Sequence, residues 1–346
     1  GGDISRVAER LNGDVVQIFS SAGAFTALKA DGSIVSWGDS GSGGVIPPSL
    51  LADLDETVVR LASNDFAFAA VTETGAVVSW GDASNGGYSR AFEDQLSRGV
   101  VEVFASQSAF AALKQDGSVV TWGRDSAGGD SSAVSDELSS GVVEIVSTDS
   151  AFAALKDDGS VVSWGNPAAG GNSNPVAEQL SSGVASITAN NSAFAALLQD
   201  GSITSWGNRF SGGRLPSAVK EALTTGANSI TASSQAFAAL GNDGSVISWG
   251  HPDTGGNSSA VAEQIATNVV SLTANETAFA ALKRDGSVVS WGNVAGGGDS
   301  SAVSEQLQND VLSLAASDHA FTALKTDGSL VSWGDAESGG VTPTLL

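Results

Sequence analysis

Eight Trp-Gly pairs recur along the chain at Trp37, Trp80, Trp122, Trp164, Trp206, Trp249, Trp291 and Trp333, spaced by 42 or 43 residues, and there is no other tryptophan. A fixed period of this length is the signature of stacked supersecondary units, none of which buries a core alone. Eight such units account for nearly all of the 346 residues. They read as one repeat domain over 1–346, with units at approximately 1–42, 43–85, 86–127, 128–169, 170–211, 212–254, 255–296 and 297–338. Residues 339–346 form a tail or the start of a ninth unit.

The unit running from Gly128 to Pro167 shows the local pattern. Gly128-Gly129 reads as a turn. Ser132 stands where a helix N-cap is expected, a slot also held by Ser5, Asn174, Ser217, Ser259 and Ser301. Pro175 follows Asn174 at the favoured first helical position. Apolar residues four apart (Val134/Leu138, Val176/Leu180, Val219/Leu223, Val261/Ile265, Val303/Leu307) give one apolar face over about two turns. Gly141 ends the helix. The β-branched run 142–146 then predicts a strand. Two further strands, Ala151–Lys156 and Ser160–Gly165, flank Asp158-Gly159, a strong hairpin signal because glycine accepts positive φ. Asp-Gly recurs at Asp31, Asp116, Asp200, Asp243, Asp285 and Asp327, and Thr74-Gly75 replaces it once. The middle strand is alanine-rich, which suits close approach of sheets. Its phenylalanine (Phe25, Phe68, Phe110, Phe152, Phe194, Phe237, Phe279, Phe321) joins the tryptophan as packing material. Pro47-Pro48 breaks the helical pattern of the second unit, and 339–346 resembles that stretch.

The segment Leu155-Lys156-Asp157-Asp158-Gly159-Ser160-Val161-Val162-Ser163-Trp164-Gly165 resembles the core of the regulator of chromosome condensation repeat (RCC1-like). The resemblance recurs in all eight units. It implies a β-propeller, here mainly β with three strands and a short helix per blade. An eight-bladed closed ring is the expectation, with an open superhelical solenoid as the alternative. The units depart from the family: they are shorter than its usual length of more than 50 residues, a helix stands in place of a fourth strand, and there are eight rather than seven. The family's histidine before the Ala-Leu strand is mostly alanine here, with His319 one position early. The founding member's guanine-nucleotide exchange on a small GTPase would need a protruding wedge, and no loop between units is long. That activity is not carried over, although a small-GTPase contact stays as an alternative.

Composition narrows the partners. Asp and Glu outnumber Lys and Arg by 38 to 15, for a net charge of −23, which repels phosphate backbones and anionic lipid. Nucleic-acid binding and membrane insertion are therefore not expected, and no stretch approaches a membrane span. Without Cys, disulfides, thiol catalysis and thiolate metal sites are excluded. Without an initiating Met, the chain is expected to be processed or part of a longer protein.

Few residues break the repeat symmetry as a catalytic centre would. His251 and His319, the only histidines, lie in different parts of their units. No Ser-His-Asp constellation, phosphate loop or H-E-x-x-H occurs, and the Gly-Gly pairs lack the lysine of a phosphate loop. Carboxylate pairs for glycoside hydrolysis are not singled out by spacing. A sialidase-type Asp-box hairpin differs in order and spacing. Asp39, Asp82, Asp125 with Asp130, Asp253 and Asp335 follow the Trp-Gly pairs and are the footing for structural calcium, though no loop alternates as a calcium loop does. No catalytic, cofactor-binding or metal residue is assigned, and no cofactor beyond that calcium. The chain is read as a non-catalytic binding or scaffold module, monomeric, within a larger extracellular or surface protein, with a protein or glycan partner. A multivalent lectin is the alternative, and it requires exposed tryptophans.

Overall fold

The computed structural model describes residues 2–223 and 225–341. The fold is mainly β: eight three-stranded antiparallel blades, each strand paired with the next in sequence. Two compact units divide the chain, Gly1–Ser173 and Asn174–Leu346, and each holds four blades.

In the first unit, sheet 1 comprises Val15–Ser20, Ala24–Lys29 and Ile34–Gly38; sheet 2, Val58–Ser63, Ala67–Thr72 and Val77–Gly81; sheet 3, Val100–Ala105, Ala109–Lys114 and Val119–Gly123; sheet 4, Val142–Ser147, Ala151–Lys156 and Val161–Gly165. In the second, sheet 5 comprises Val184–Ala189, Ala193–Leu198 and Ile203–Gly207; sheet 6, Ala227–Ala232, Ala236–Gly241 and Val246–Gly250; sheet 7, Val269–Ala274, Ala278–Lys283 and Val288–Gly292; sheet 8, Val311–Ala316, Ala320–Lys325 and Leu330–Gly334.

A β-bulge in the first strand explains a pattern that simple alternation does not. Val142 and Ile145 are three apart, yet both are buried, at 4% and 2% exposure. The register slips between Val142 and Glu144, and the extra residue turns both side chains to one face. The same slip recurs in sheet 2 between Val58 and Arg60, where Val58 and Leu61 are buried.

Consecutive sheets in a unit pack face to face through a repeated junction. Between sheets 1 and 2, Ala24, Leu28 and Ile34 meet Val58, Leu61, Phe68, Ala70, Val78 and Trp80. Across each sheet the phenylalanine of the middle strand faces the tryptophan of the third, as with Phe152 and Trp164, and their rings stack 5.3 Å apart at 19°. Such stacks contribute about 0.5–1.5 kcal/mol beyond the burial itself. The stack then rests on the preceding turn. Trp164 Nε1 donates to the Gly128 carbonyl at 3.1 Å, which satisfies a buried donor. Gly128 has φ +97°, and a Cβ there would lie 2.5 Å from the Phe152 ring. The second glycine, Gly129, presses on the backbone of Gly123. The Gly-Gly pairs are thus packing elements, consistent with their reading as turns.

The expected two-turn helix is mostly shorter. Ser132–Val134, Asn174–Val176, Ser259–Val261 and Ser301–Val303 are single 3-10 turns, and among the described residues α-helix forms only at Glu93–Leu96 and Ser217–Ala222. So short a segment gains few bonds to offset helix nucleation, and its fixed point is the buried apolar residue that follows the turn (Leu138, Ile265, Leu307). The capping expectation is corrected by two positions. Ser132 is the first residue of its turn, and its N–H donates to Asp130 Oδ1 at 2.8 Å; Asp299 does the same for Ser301. Pro48–Leu50 forms a 3-10 turn in the second repeat despite Pro-Pro. Of the tail, 342–346 lies outside the described residues.

The Asp-Gly hairpins are three-residue loops. Gly32 N–H returns to the Lys29 carbonyl and Lys29 N–H to that of Ser33, with Gly32 at φ +79°. Asp31 Oδ1 accepts from the Ser33 hydroxyl (2.6 Å) and the Ser33 N–H (2.9 Å). These bonds, the hydroxyl's first, hold the Asp31 carboxyl below the ordinary carboxylate value. Asp116, Asp158, Asp200, Asp243, Asp285 and Asp327 are lowered by the equivalent serines. Ion pairing adds little: among the described residues Arg90–Asp53, at 2.9 Å and exposed, is the one salt bridge.

Two expectations follow. Gly183→Ala, at φ +74° with open space around it, should cost about 1 kcal/mol of left-handed strain. Gly255→Ala, at φ +92° with its Cβ 2.5 Å from the Phe279 ring, should cost about 3 kcal/mol because overpacking is added. Urea unfolding followed by tryptophan emission compares them, and equal losses would contradict the junction. Second, carboxylates with depressed folded values contribute stability above their ordinary value and lose it as pH falls through the folded values. The urea midpoint should therefore drop as the pH is taken below the ordinary carboxylate value, and drop less when the seven hairpin aspartates are replaced by asparagine.

Candidate functional site

The turns leaving the third strand and the hairpins joining the first two strands lie together along one edge of each sheet, tied by one recurring bond. A small polar residue at the hairpin donates its side chain to a carbonyl 21 residues later. In the first unit these are Ser21 Oγ to Ser42 (2.8 Å), Asn64 Nδ2 to Asn85 (2.8 Å), Ser106 Oγ to Ala127 (2.9 Å) and Thr148 Oγ1 to Ala169 (3.0 Å). In the second they are Asn190 Nδ2 to Ser211, Ser233 Oγ to Thr254, Asn275 Nδ2 to Gly296 and Ser317 Oγ to Ser338, each at 2.7 Å. Sequence reasoning missed this anchor. Its signal was a Ser, Thr or Asn recurring in register just before the Ala-Phe strand.

Backbone bonds make the hairpins a continuous row within each unit. Ala22 N–H donates to Asp65, Asp65 to Gln107 and Gln107 to Asp149. In the second unit Asn191 donates to Ser234, Ser234 to Glu276 and Glu276 to Asp318. Asp149 is half-buried in its row. Burial pushes its carboxyl up from the ordinary value, and the charge of Asp65 adds to the rise. This shift is opposite in sign to that of the hairpin aspartates. Its stabilising contribution is present when the group is protonated and is lost as pH rises through the raised value.

The anchored framework is constant, and the exposed residues it carries are not. After the Trp-Gly pairs the tips read Ser40-Gly41, Ala83-Ser84, Asp125-Ser126 and Pro167-Ala168 in the first unit. The second unit has Arg209-Phe210, Pro252-Asp253, Val294-Ala295 and Ala336-Glu337. Phe210 and Val294 are 76% and 70% exposed. Large apolar side chains held out on anchored loops are a feature of interaction surfaces.

The carboxylates weighed for calcium mostly serve these turns. Asp82 Oδ1 accepts from the Ser84 N–H (2.8 Å), Asp39 Oδ2 from the Ser42 hydroxyl (2.9 Å), and Asp335 Oδ2 from Ser338 N–H and hydroxyl (3.0 and 2.7 Å). Asp130 caps Ser132. Asp125 and Asp253 stand on exposed tips. Among the described residues no three His, Cys, Asp or Glu side chains gather as a metal would require. His251 takes the capping position of the aspartates, its Nδ1 accepting from the Asp253 N–H at 3.3 Å. His319 lies on the last hairpin, where its carbonyl accepts from Asp335 N–H. The structure brings the two histidines to the same kind of edge, but on sheets 6 and 8.

All eight tryptophans are buried, with exposures from 0% to 9%. No indole face is open for a sugar ring to stack on, so tryptophan-based sugar recognition has no footing. Among the described residues no helix is long and apolar enough to cross a membrane.

Solved structures similar to the chain include the ectodomain of the Physcomitrella patens receptor kinase CR4, 20% identical with a TM-score of 0.42, covering 82% of this chain and 74% of that one. Yeast RCC1 (Prp20) in its complex with Kap60 is 19% identical with a TM-score of 0.43, covering 70% and 71%. Human WBSCR16 is 16% identical with a TM-score of 0.40, covering 82% and 78%. No protein-family model matches the chain, and no curated protein does.

Proposed function

We propose that the chain is a non-catalytic protein-binding module. Its recognition surface is the loop edge of the second unit. The observation that carries this reading is the division of labour along that edge. Four equivalent side-chain anchors, two from Asn and two from Ser, hold the loops, while the tips differ and expose Arg209, Phe210, Pro252 and Val294. Aromatic and Arg side chains are the usual centres of binding energy, and rigid support lowers the entropy lost on docking. The row also bears Glu276 and Asp318, so a partner segment with an apolar anchor and flanking basic residues fits it best. The net charge of −23 favours the same partner and steers it by long-range attraction.

A displayed peptide library panned on the chain tests this, with the Phe210→Ser/Val294→Ser variant as counter-screen. Both side chains are exposed, so the variant should keep its fold. The expected result is a set of basic-apolar peptides retained by the chain and weakened at least about tenfold by the variant, the scale of one lost anchor. Peptides held equally by both would move the site elsewhere. A glycan array run with calcium and with chelator is the companion: specific glycan binding without peptide binding would replace this reading with a lectin that does not use its tryptophans.

A further inference from the structure

Grooves run across the third strands of sheets 1, 2 and 7, each walled by the connecting segments before and after its sheet. They share one frame and differ in what lines it. At sheet 2, Asp53 on the first wall meets Arg90 on the second at 2.9 Å, so the groove is bridged by its own ion pair. At sheet 7, the first wall carries Gln264 and the second Ser300, Ser301 and Ser304. Asp53 and Gln264 hold the same slot, one residue before the apolar residue that closes the segment (Leu54, Ile265). At sheet 1 that slot, before Leu11, holds Arg10.

The change of charge remakes the groove. Its cavity is about 500 Å³, the size of a small-molecule site. One wall carries Arg6 and Arg10, four residues apart on a turn that Arg10 N–H closes on the Val7 carbonyl at 2.9 Å, so both guanidinium groups serve one face. Arg10 Nη2 donates to the Ile34 carbonyl at 3.1 Å. That bond steadies the guanidinium and leaves its other N–H groups to donate. Arg6 has no hydrogen bond or salt bridge among the described residues. The carboxylate of the lining, Asp3, accepts from the Ser5 N–H at 2.9 Å instead of pairing with it. The other wall is apolar, with Val45 and Leu51 56% and 50% exposed and Ile46 half-buried between them. In a chain with 38 acidic and 15 basic residues, two arginines have gathered without a carboxylate partner, opposite uncovered hydrocarbon.

We propose that this groove binds the carboxylate end of an apolar chain, with the carboxylate on Arg6 and Arg10 and the hydrocarbon along Val45, Ile46 and Leu51. A guanidinium fork matches a carboxylate in shape and charge. An exposed pair of this kind contributes little by itself in water, and the net charge of −23 repels anions at long range. The apolar body is therefore required, and the burial of its methylenes supplies the affinity. A free fatty acid and a peptide ending in apolar residues both present this chemistry. The groove lies wholly within the first unit, away from the loop edge assigned to protein binding in the second.

NMR titration of the chain with decanoate and with N-acetyl-leucyl-leucine, each to about 5 mM, tests this at the weak affinity expected of small ligands. Decanol and acetate are the controls, one lacking the charge and the other the body. The Val45 and Leu51 methyl signals report on the groove. At least one of the two acids should shift them saturably, and the tighter of the two identifies the source. Acetate should leave them unmoved, and decanol should bind at least about tenfold more weakly than decanoate. The Arg6→Gln/Arg10→Gln variant should lose at least about tenfold in affinity for the acid. Arg6→Gln alone, at an exposed position that breaks no bond, should weaken binding in the same direction and guards against a double variant that folds poorly. No saturable shift with either acid would overturn the proposal. So would equal binding by the Arg6→Gln variant, or decanol held as tightly as decanoate.

Discussion

The structure depends on one contact: an aromatic stack seated on a glycine that has no side chain to keep it out. The Phe–Trp pair supplies the apolar area and the indole N–H supplies direction, because it is satisfied only when it meets the glycine carbonyl of the preceding turn. Burial alone would let neighbouring sheets slide; a buried donor with one acceptor in reach does not. The left-handed glycine is required twice over, by the turn and by the ring pressed against it. The alanines of the middle strand complete the contact. Ala109 and Ala111 are fully buried in the core shared by sheets 3 and 4, where a larger residue would force the sheets apart.

Much of this was legible in the sequence because the elements concerned are local. The Asp-Gly loops and the strands each declare themselves within ten residues, and the 42- or 43-residue spacing repeats them eight times. The helical segment was less legible. Its apolar spacing resembles a helix, but so short a segment gains few bonds to offset nucleation, so a 3-10 turn forms at Ser132–Val134, Asn174–Val176, Ser259–Val261 and Ser301–Val303, while Ser217–Ala222 stays α-helical. Its cap lies two residues before the slot that Ser132 and its equivalents occupy, since Asp130 and Asp299 fold back on the N–H two positions on. The bulge that brings Val142 and Ile145 to one face left no mark that strand alternation could reveal.

The functional surface was the least legible part. Ser233 and Thr254 are 21 residues apart, and nothing local in either predicts their bond. Once it is seen, residues that looked like candidate ligands, such as Asp82 and Asp335, become turn caps. Attention then passes to Phe210 and Val294, which appeared in the sequence only as departures from the repeat. Framework and variable tips coexist without conflict because the anchor binds a backbone carbonyl, which every residue type provides.

The most direct measurement of the junction is hydrogen exchange at the indole N–H groups, resolved one by one by NMR. The expected result is strong protection of Trp80, Trp122, Trp164, Trp249, Trp291 and Trp333, whose N–H groups meet glycine carbonyls. Rapid exchange at the six would contradict a fold assembled through indole-to-glycine contacts.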